Sequence, residues 1–105
     1  MASKLSDMGR FTEPALLILV SLAGGDKHSY AIMEDIERSA GVRVGPGTLY
    51  GALARLETEA LIEAIPSTDR RRPYRLTQLG GTALRAQLRT MQRLLALGLE
   101  RLASS

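Results

Sequence analysis

The residues whose types and spacing most clearly suggest a chemical role are arginines clustered between positions 70 and 75. The segment DRRRPYR (69–75) carries four of them beside a proline. Like charges at this density repel one another unless an anion neutralises them, and arginines at a hairpin tip can contact DNA phosphates or a minor groove. The segment therefore predicts a DNA contact, and the alternative is a solvated hairpin whose charge opposes aggregation. The residues expected to make the contact are Arg70, Arg71, Arg72 and Tyr74.

A second candidate lies in GPGTLYGALARLETE (45–59), where apolar residues at spacings of four, three and four predict the inward stripe of a helix. The stripe consists of Leu49, Leu53, Leu56 and Ala60. The opposite face carries small residues at its N-terminal end, so it could enter a DNA major groove. The free backbone N–H groups at the helix start suit a phosphate. The alternative is that the glycines only form a turn and the tyrosine belongs to the core. The predicted contact residues are Pro46, Gly47, Thr48, Tyr50, Gly51 and Arg55.

Other chemistries find little support in the residue types. The chain has no cysteine and a single histidine, His28, which argues against thiolate sites, histidine metal sites and conventional catalytic triads. The acidic residues between positions 34 and 37 are expected on the outer face of a helix, and Lys27 is expected to be a solvated turn charge. The glycine-rich stretches match no nucleotide-binding loop. We therefore expect no enzyme activity, no metal and no cofactor.

The composition bounds the class of protein. The 105 residues suffice for one domain, with 45% apolar and 24% charged residues. The net charge of +3 divides into −4 over residues 1–69 and +7 over residues 70–105. The longest uncharged stretch, which starts at Pro14 and ends before Asp26, is too short to span a bilayer. We expect a soluble cytoplasmic protein without a membrane partner.

The apolar pattern predicts the elements that position these residues. Glu13 and Pro14 open a first helix that is apolar enough to lie at the centre of the core. Ser29 is expected to cap a second helix that stops at Gly41, and a third helix is expected to begin at Thr48. Residues 42–44 form either a connector or a short strand pair.

A hairpin and a long helix complete the pattern. Residues 61–66 and 74–76 are predicted as strands around a polar turn. Thr77 is expected to cap a final helix that runs to about residue 103 and is weakened at its start by Gly80 and Gly81. Three helices followed by a hairpin are typical of the winged helix-turn-helix. The expected fold is therefore mainly α, with an N-terminal arm (1–12), a winged helix-turn-helix domain (13–77) and a C-terminal helix (78–105).

The final helix carries a heptad-like apolar stripe that predicts dimerisation. Its length of about 40 Å exceeds what so small a domain can cover. Arginines at positions 85, 89 and 93 run beside the stripe. The alternative is a helix folded back over its own domain. The predicted dimer residues are Leu84, Leu88, Met91, Leu95, Gly98 and Leu102.

The chain resembles the PadR family of winged-helix transcriptional regulators. The resemblance rests on EPALLILVSLAGG (13–25), HSYAIMEDIE (28–37), GPGTLYGALARLETEALIE (45–63) and RRRPYRLTQLG (70–80). It implies a homodimer that binds a palindromic operator on double-stranded DNA, usually as a repressor, and that a small-molecule effector releases. With a single C-terminal helix, the chain is similar to the short subfamily.

The resemblance also implies roles for individual residues. Tyr50 matches the tyrosine of the recognition helix, Thr48 and Gly47 match its start, and Tyr30 matches the aromatic residue of the second helix. Two departures concern Ala60, where a glycine is usual, and Gly81, where an arginine or lysine is usual. A winged-helix adaptor that binds protein instead of DNA is the alternative function, but such an adaptor has no need of an arginine-rich wing.

Overall fold

In the computed structural model, which describes residues 13–68 and 70–104, four helices and a β-hairpin form a winged helix-turn-helix. The predicted N-terminal arm (1–12) lies outside the described residues, as do Asp69 and Ser105. The elements are α1 (Pro14–Ala23), α2 (Ser29–Ala40), α3 (Pro46–Thr58), β1 (Ile62–Ala64), β2 (Tyr74–Leu76) and α4 (Gln78–Ser104).

Helix α1 forms the centre of the core, as its apolar sequence predicts. Proline occupies its first turn, where a missing backbone N–H costs nothing. Ile18, Leu19 and Leu22 are buried, and α1 packs against α2, α3, β2 and α4. Burial of each such side chain contributes about 1.5–3 kcal/mol.

Helix α2 differs from the expectation at its start. The helix includes Ser29, and His28 takes the N-cap position without a side-chain cap hydrogen bond. The expectation that Ser29 caps the helix is therefore wrong, because its hydroxyl bonds elsewhere. Gly41 ends the helix in the left-handed conformation with φ of 69°, as predicted. Residues 42–45 form a connector without strand pairing, and Val44 is buried in the core.

Helix α3 begins at Pro46, two residues before the predicted start, because proline suits the first turn of a helix. Leu49, Leu53 and Leu56 are buried, as predicted. The expectation that Ala60 extends this stripe is wrong, since Ala60 lies beyond the helix, is exposed and has φ of 62°. This conformation costs a residue with a Cβ about 1–2 kcal/mol, so glycine would fit better at this position.

The hairpin is shorter than predicted. Its antiparallel strands pair Ile62 with Leu76 and Ala64 with Tyr74. The first strand spans three residues instead of the predicted six. The backbone of Lys27 pairs with Tyr74 in an isolated antiparallel bridge. The α1–α2 loop thus pairs with β2 at one position, as a third short strand would.

A polar network between α1, the following loop and α2 contradicts two expectations. The side chain of Lys27 is 21% exposed, and it donates to the Ser21 carbonyl at 2.5 Å, so it is no solvated turn charge. Asp35 accepts hydrogen bonds from the hydroxyls of Ser21 and Ser39, at 2.6 and 3.0 Å. This carboxylate is therefore not a free surface group. Sequence spacing could not indicate either role, because the partners come from different elements.

Helix α4 starts at a close backbone crossing. Thr77 caps the helix, as predicted, since its hydroxyl accepts the Gly80 N–H at 3.0 Å and also donates to the Ala60 carbonyl at 2.7 Å. A Cβ on Gly80 would lie 1.9 Å from the Leu61 carbonyl oxygen. Gly80 therefore permits contact between α4 and the start of the hairpin, a role beyond the expected weakening of the helix. The chain measures 58 Å along its longest axis.

We predict that Gly80→Ala destabilises the protein by at least about 1–3 kcal/mol, because the new methyl group meets backbone that cannot rotate away. Gly81→Ala is the matched control. Its Cβ would lie 3.8 Å from Leu76, an ordinary contact, so the better helix propensity of alanine should stabilise by about 0.5–1 kcal/mol. Urea unfolding followed by circular dichroism measures both. Equal stability of the two variants would contradict the role of the crossing.

Candidate nucleic-acid interface

The face of α3 opposite the core is open to solvent. Leu49, Ala52, Leu53 and Leu56 turn inward, and the other positions from 46 to 55 are exposed. No group lies within 4 Å of a Cβ built on Gly47 or Gly51, so this surface is unobstructed. The exposed residues include every predicted contact residue on this helix: Pro46, Gly47, Thr48, Tyr50, Gly51 and Arg55.

A cleft of about 420 Å³ separates this helix from the hairpin. It gathers side chains from three regions: the start of α2, the first turns of α3, and the wing, by which we mean the hairpin with its connecting residues. Its lining residues are His28, Ser29, Tyr30, Tyr50, Arg70, Arg71, Arg72 and Tyr74. The structure thus brings together six of the predicted contact residues, which come from three separate sequence segments.

Positive charge dominates one wall of the cleft. Arg70, Arg71 and Arg72 are exposed on the wing. Arg75, also on the wing, donates its Nε to Glu63 across the hairpin at 2.5 Å, which balances its charge locally. The like charges at the wing tip leave this wall suited to an anion.

Hydroxyl groups and a helix start form the other wall. The hydroxyl of Ser29 lies 3.1 Å from that of Tyr50 and shares a hydrogen bond with it. His28, the N-cap residue of α2, makes no side-chain cap hydrogen bond, and the backbone N–H groups at this helix start favour an anion. Burial raises the pKa of the Tyr74 phenol, and Glu57 raises it further, so Tyr74 remains a hydrogen-bond donor at neutral pH.

Five predicted contact residues on α3 do not line the cleft: Pro46, Gly47, Thr48, Gly51 and Arg55. Arg55 lies near the opposite end of α3, where it lines a groove with Glu13 and Glu59. Gly51 is exposed on the helix but does not line the cleft. These positions share the outer surface of α3 without sharing its contact with the wing.

Sequence reasoning missed His28 and Ser29 as lining residues. His28 carried no signal beyond that of a loop residue. Ser29 carried the signal of a helix cap, which concealed its contact with Tyr50 because the two residues are 21 positions apart. A pairing of this kind depends on how α2 and α3 cross, and no local pattern encodes it.

The exposed side of α4 forms an apolar surface, which we call the leucine face. Leu84 is buried in the core of its own domain, whereas Leu88, Leu95 and Leu102 are exposed, the last to 74%. The leucine face consists of Leu88, Met91, Leu94, Leu95, Gly98, Leu99 and Leu102. The first residue of the apolar stripe therefore packs into the core, and the rest of the stripe from Leu88 onward faces solvent.

Two other kinds of site are absent from the described part of the chain. Across residues 13–68 and 70–104, no group of three or more acidic or histidine side chains is placed to hold a metal ion. None of the helices in these same ranges combines the length and apolarity needed to cross a bilayer.

Comparison with known proteins places the chain among regulators. The model of the transcriptional regulator PadR-like family matches residues 18–86. The chain is 44% identical over 85 residues to an uncharacterized 37.1 kDa protein in transposon TN4556 of Streptomyces fradiae, a match that covers 81% of this chain and 25% of that protein. It is 35% identical over 82 residues to transcriptional regulator Rv3488 of Mycobacterium tuberculosis, covering 75% of this chain and 76% of the relative.

Solved structures share the fold. A PadR family transcription regulator from Clostridium difficile R20291 matches with a TM-score of 0.69 and 25% identity, over 87% of this chain and 99% of that one. A PadR family transcriptional regulator from Eggerthella lenta matches with a TM-score of 0.72 and 23% identity, over 99% and 92% of the two chains. With the family model spanning the winged domain and the start of α4, these matches show that the chain belongs to the PadR-like family of transcriptional regulators.

Proposed function

We propose that the protein binds double-stranded DNA through α3 and the wing. The observation that carries this proposal is the cleft, where Tyr50 of α3 and three wing arginines face a common space beside the start of α2. In this arrangement α3 enters the major groove with its small residues, and the wing arginines contact phosphates or the adjacent minor groove. Thr48 and Tyr50 supply hydroxyl groups for base or phosphate contacts.

We propose further that two copies associate through the leucine face. Its large side chains are too exposed to contribute to the core of a single chain, and covering each contributes about 1.5–3 kcal/mol. A two-fold dimer presents two copies of α3 to one duplex. The operator is then an inverted repeat with half-sites about ten base pairs apart.

Repression and effector release complete the proposal, and both rest on the resemblance to the family. A dimer seated on an operator blocks access to that DNA, and a small molecule that binds the free form better lowers its occupancy. The second candidate function is a protein-binding adaptor that uses the leucine face. The arginine wall of the cleft favours DNA, because an adaptor leaves that charge without a role.

Replacing Arg70, Arg71 and Arg72 together by alanine should weaken binding to every duplex and reduce the slope of log K against log salt by about one unit per lost phosphate contact. The matched control replaces Arg89, Arg93 and Arg101 on α4, which removes the same charge away from the cleft. Fluorescence anisotropy over a salt series measures both slopes. An unchanged slope in the wing variant, or equal changes in the two variants, would contradict the proposed contact.

Tyr50→Phe should lower operator affinity by about five- to tenfold, because it deletes one hydroxyl and leaves the ring in place. Tyr50 is 55% exposed, so even Tyr50→Ala should keep a melting temperature close to that of the unmutated chain. Anisotropy on operator and random duplexes measures binding, and circular dichroism measures stability. Normal binding by Tyr50→Phe together with unfolding of Tyr50→Ala would make this residue structural.

Leu88→Glu with Leu95→Glu should give a monomer that binds operator weakly, because like charges then meet in the proposed interface. Ala86→Glu with Thr90→Glu is the control, since it adds the same charge at exposed positions of α4 outside the leucine face. Light scattering after size-exclusion chromatography measures the mass. A monomeric unmutated protein at micromolar concentration would overturn the dimer and the palindromic operator with it.

A further inference from the structure

The loop between α1 and α2 touches both elements of the proposed DNA interface. The backbone of Lys27 makes two hydrogen bonds with Tyr74 of the wing, with N···O distances of 3.1 and 2.8 Å. Two residues later, the hydroxyl of Ser29 contacts that of Tyr50 on α3. The loop and the first residue of α2 therefore join the wing to α3 by a path that does not run through the hairpin strands.

The side chain of Lys27 anchors this loop from behind. Its ammonium donates to the carbonyls of Ser21 and Gly25, at 2.5 and 3.2 Å. The same ammonium lies 4.0 Å from the Asp35 carboxylate. Lys27 thus ties the loop to the end of α1 and to the middle of α2.

Asp35 completes the anchor because it is held in its charged form. The buried Ser21 hydroxyl donates to one carboxylate oxygen, and Ser39 donates to the other. These hydrogen bonds, Ser21's being the largest cause, lower the pKa of Asp35, so the carboxylate is ionised at any pH near neutrality. The guanidinium of Arg38 lies 3.9 Å from the same carboxylate, farther away than the two hydroxyls.

We infer that Asp35 and Lys27 are positioning residues for DNA binding, which hold the wing at a set distance from α3. Neither residue lines the cleft. Without the anchor, the loop edge that pairs with Tyr74 loosens, and the wing arginines lose orientation that they must regain on binding DNA. The inference rests on the proposed DNA-binding function.

For the variant Asp35→Ala, a general charge effect and a positioning role predict opposite changes in DNA affinity. Asp35→Ala removes a negative charge, so a general charge effect should strengthen DNA binding. If Asp35 positions the wing, the variant instead weakens operator binding by about five- to tenfold. Glu34→Ala is the matched control, because Glu34 is an exposed acid on the same helix and should bind DNA at least as well as the unmutated chain.

A double-mutant cycle separates positioning from general loss of structure. In the background where Arg70, Arg71 and Arg72 are alanine, the effect of Asp35→Ala should vanish, because the arginines that the anchor positions in the cleft are gone. Binding is measured at a temperature where circular dichroism shows every variant folded. Tighter binding by Asp35→Ala, or an equal loss with and without the wing arginines, would overturn the inference.

Amide hydrogen exchange tests the anchor without DNA. In Asp35→Ala, and also in Lys27→Met, the amides of Lys27 and Tyr74 should exchange at least about tenfold faster, whereas that of Leu53 in the core should not change. If exchange responds in this way but the unmutated protein does not bind DNA, the anchor stands and the proposed function fails. Unchanged exchange at Lys27 and Tyr74 overturns the anchor itself.

Discussion

The crossing of Gly80 over the carbonyl of Leu61 is the contact on which the arrangement of the other elements depends. Only a residue without a Cβ can approach that oxygen so closely. Thr77 reinforces the crossing with three hydrogen bonds. Its N–H donates to the Leu61 carbonyl, and its hydroxyl donates to the Ala60 carbonyl and accepts the Gly80 N–H. The end of α3, the start of the hairpin and the start of α4 therefore meet within a few residues. The direction in which α4 leaves the domain follows from this junction.

The same junction explains an unfavourable backbone conformation. Ala60 adopts a positive φ so that the chain can turn from α3 directly into β1. Its carbonyl is available to Thr77 only in this turn. The local cost of about 1–2 kcal/mol is offset by the contacts that the turn allows, which include burial of Ile62. A glycine here would relieve the strain without changing the path of the chain.

The cleft with its wing arginines and the leucine face lie in different parts of the molecule. The wing carries three arginines beside α3, while the far part of α4 carries exposed leucines. These surfaces suit an anionic polymer and an apolar partner respectively, and they do not compete, since α4 extends away from the domain. This separation allows one small domain to combine the proposed DNA binding with the proposed self-association. The network of Ser21, Lys27 and Asp35 joins α1, α2 and the loop that pairs with the wing, and we infer that it positions the wing for the proposed DNA binding.

The sequence by itself determined the element order, the buried leucines of α3, the Thr77 cap and the arginine-rich wing, because each depends on local periodicity, turn chemistry or charge density. Only the tertiary structure decided what depends on contacts between distant segments. It placed Ser29 against Tyr50, joined the half-buried Lys27 and Asp35 to Ser21, and gave Gly80 its role at the Leu61 carbonyl. It also divided one continuous apolar stripe, with Leu84 in the core and Leu88 onward exposed. Periodicity shows which side of a helix is apolar, but only the packing of the neighbouring elements determines how much of that side is covered.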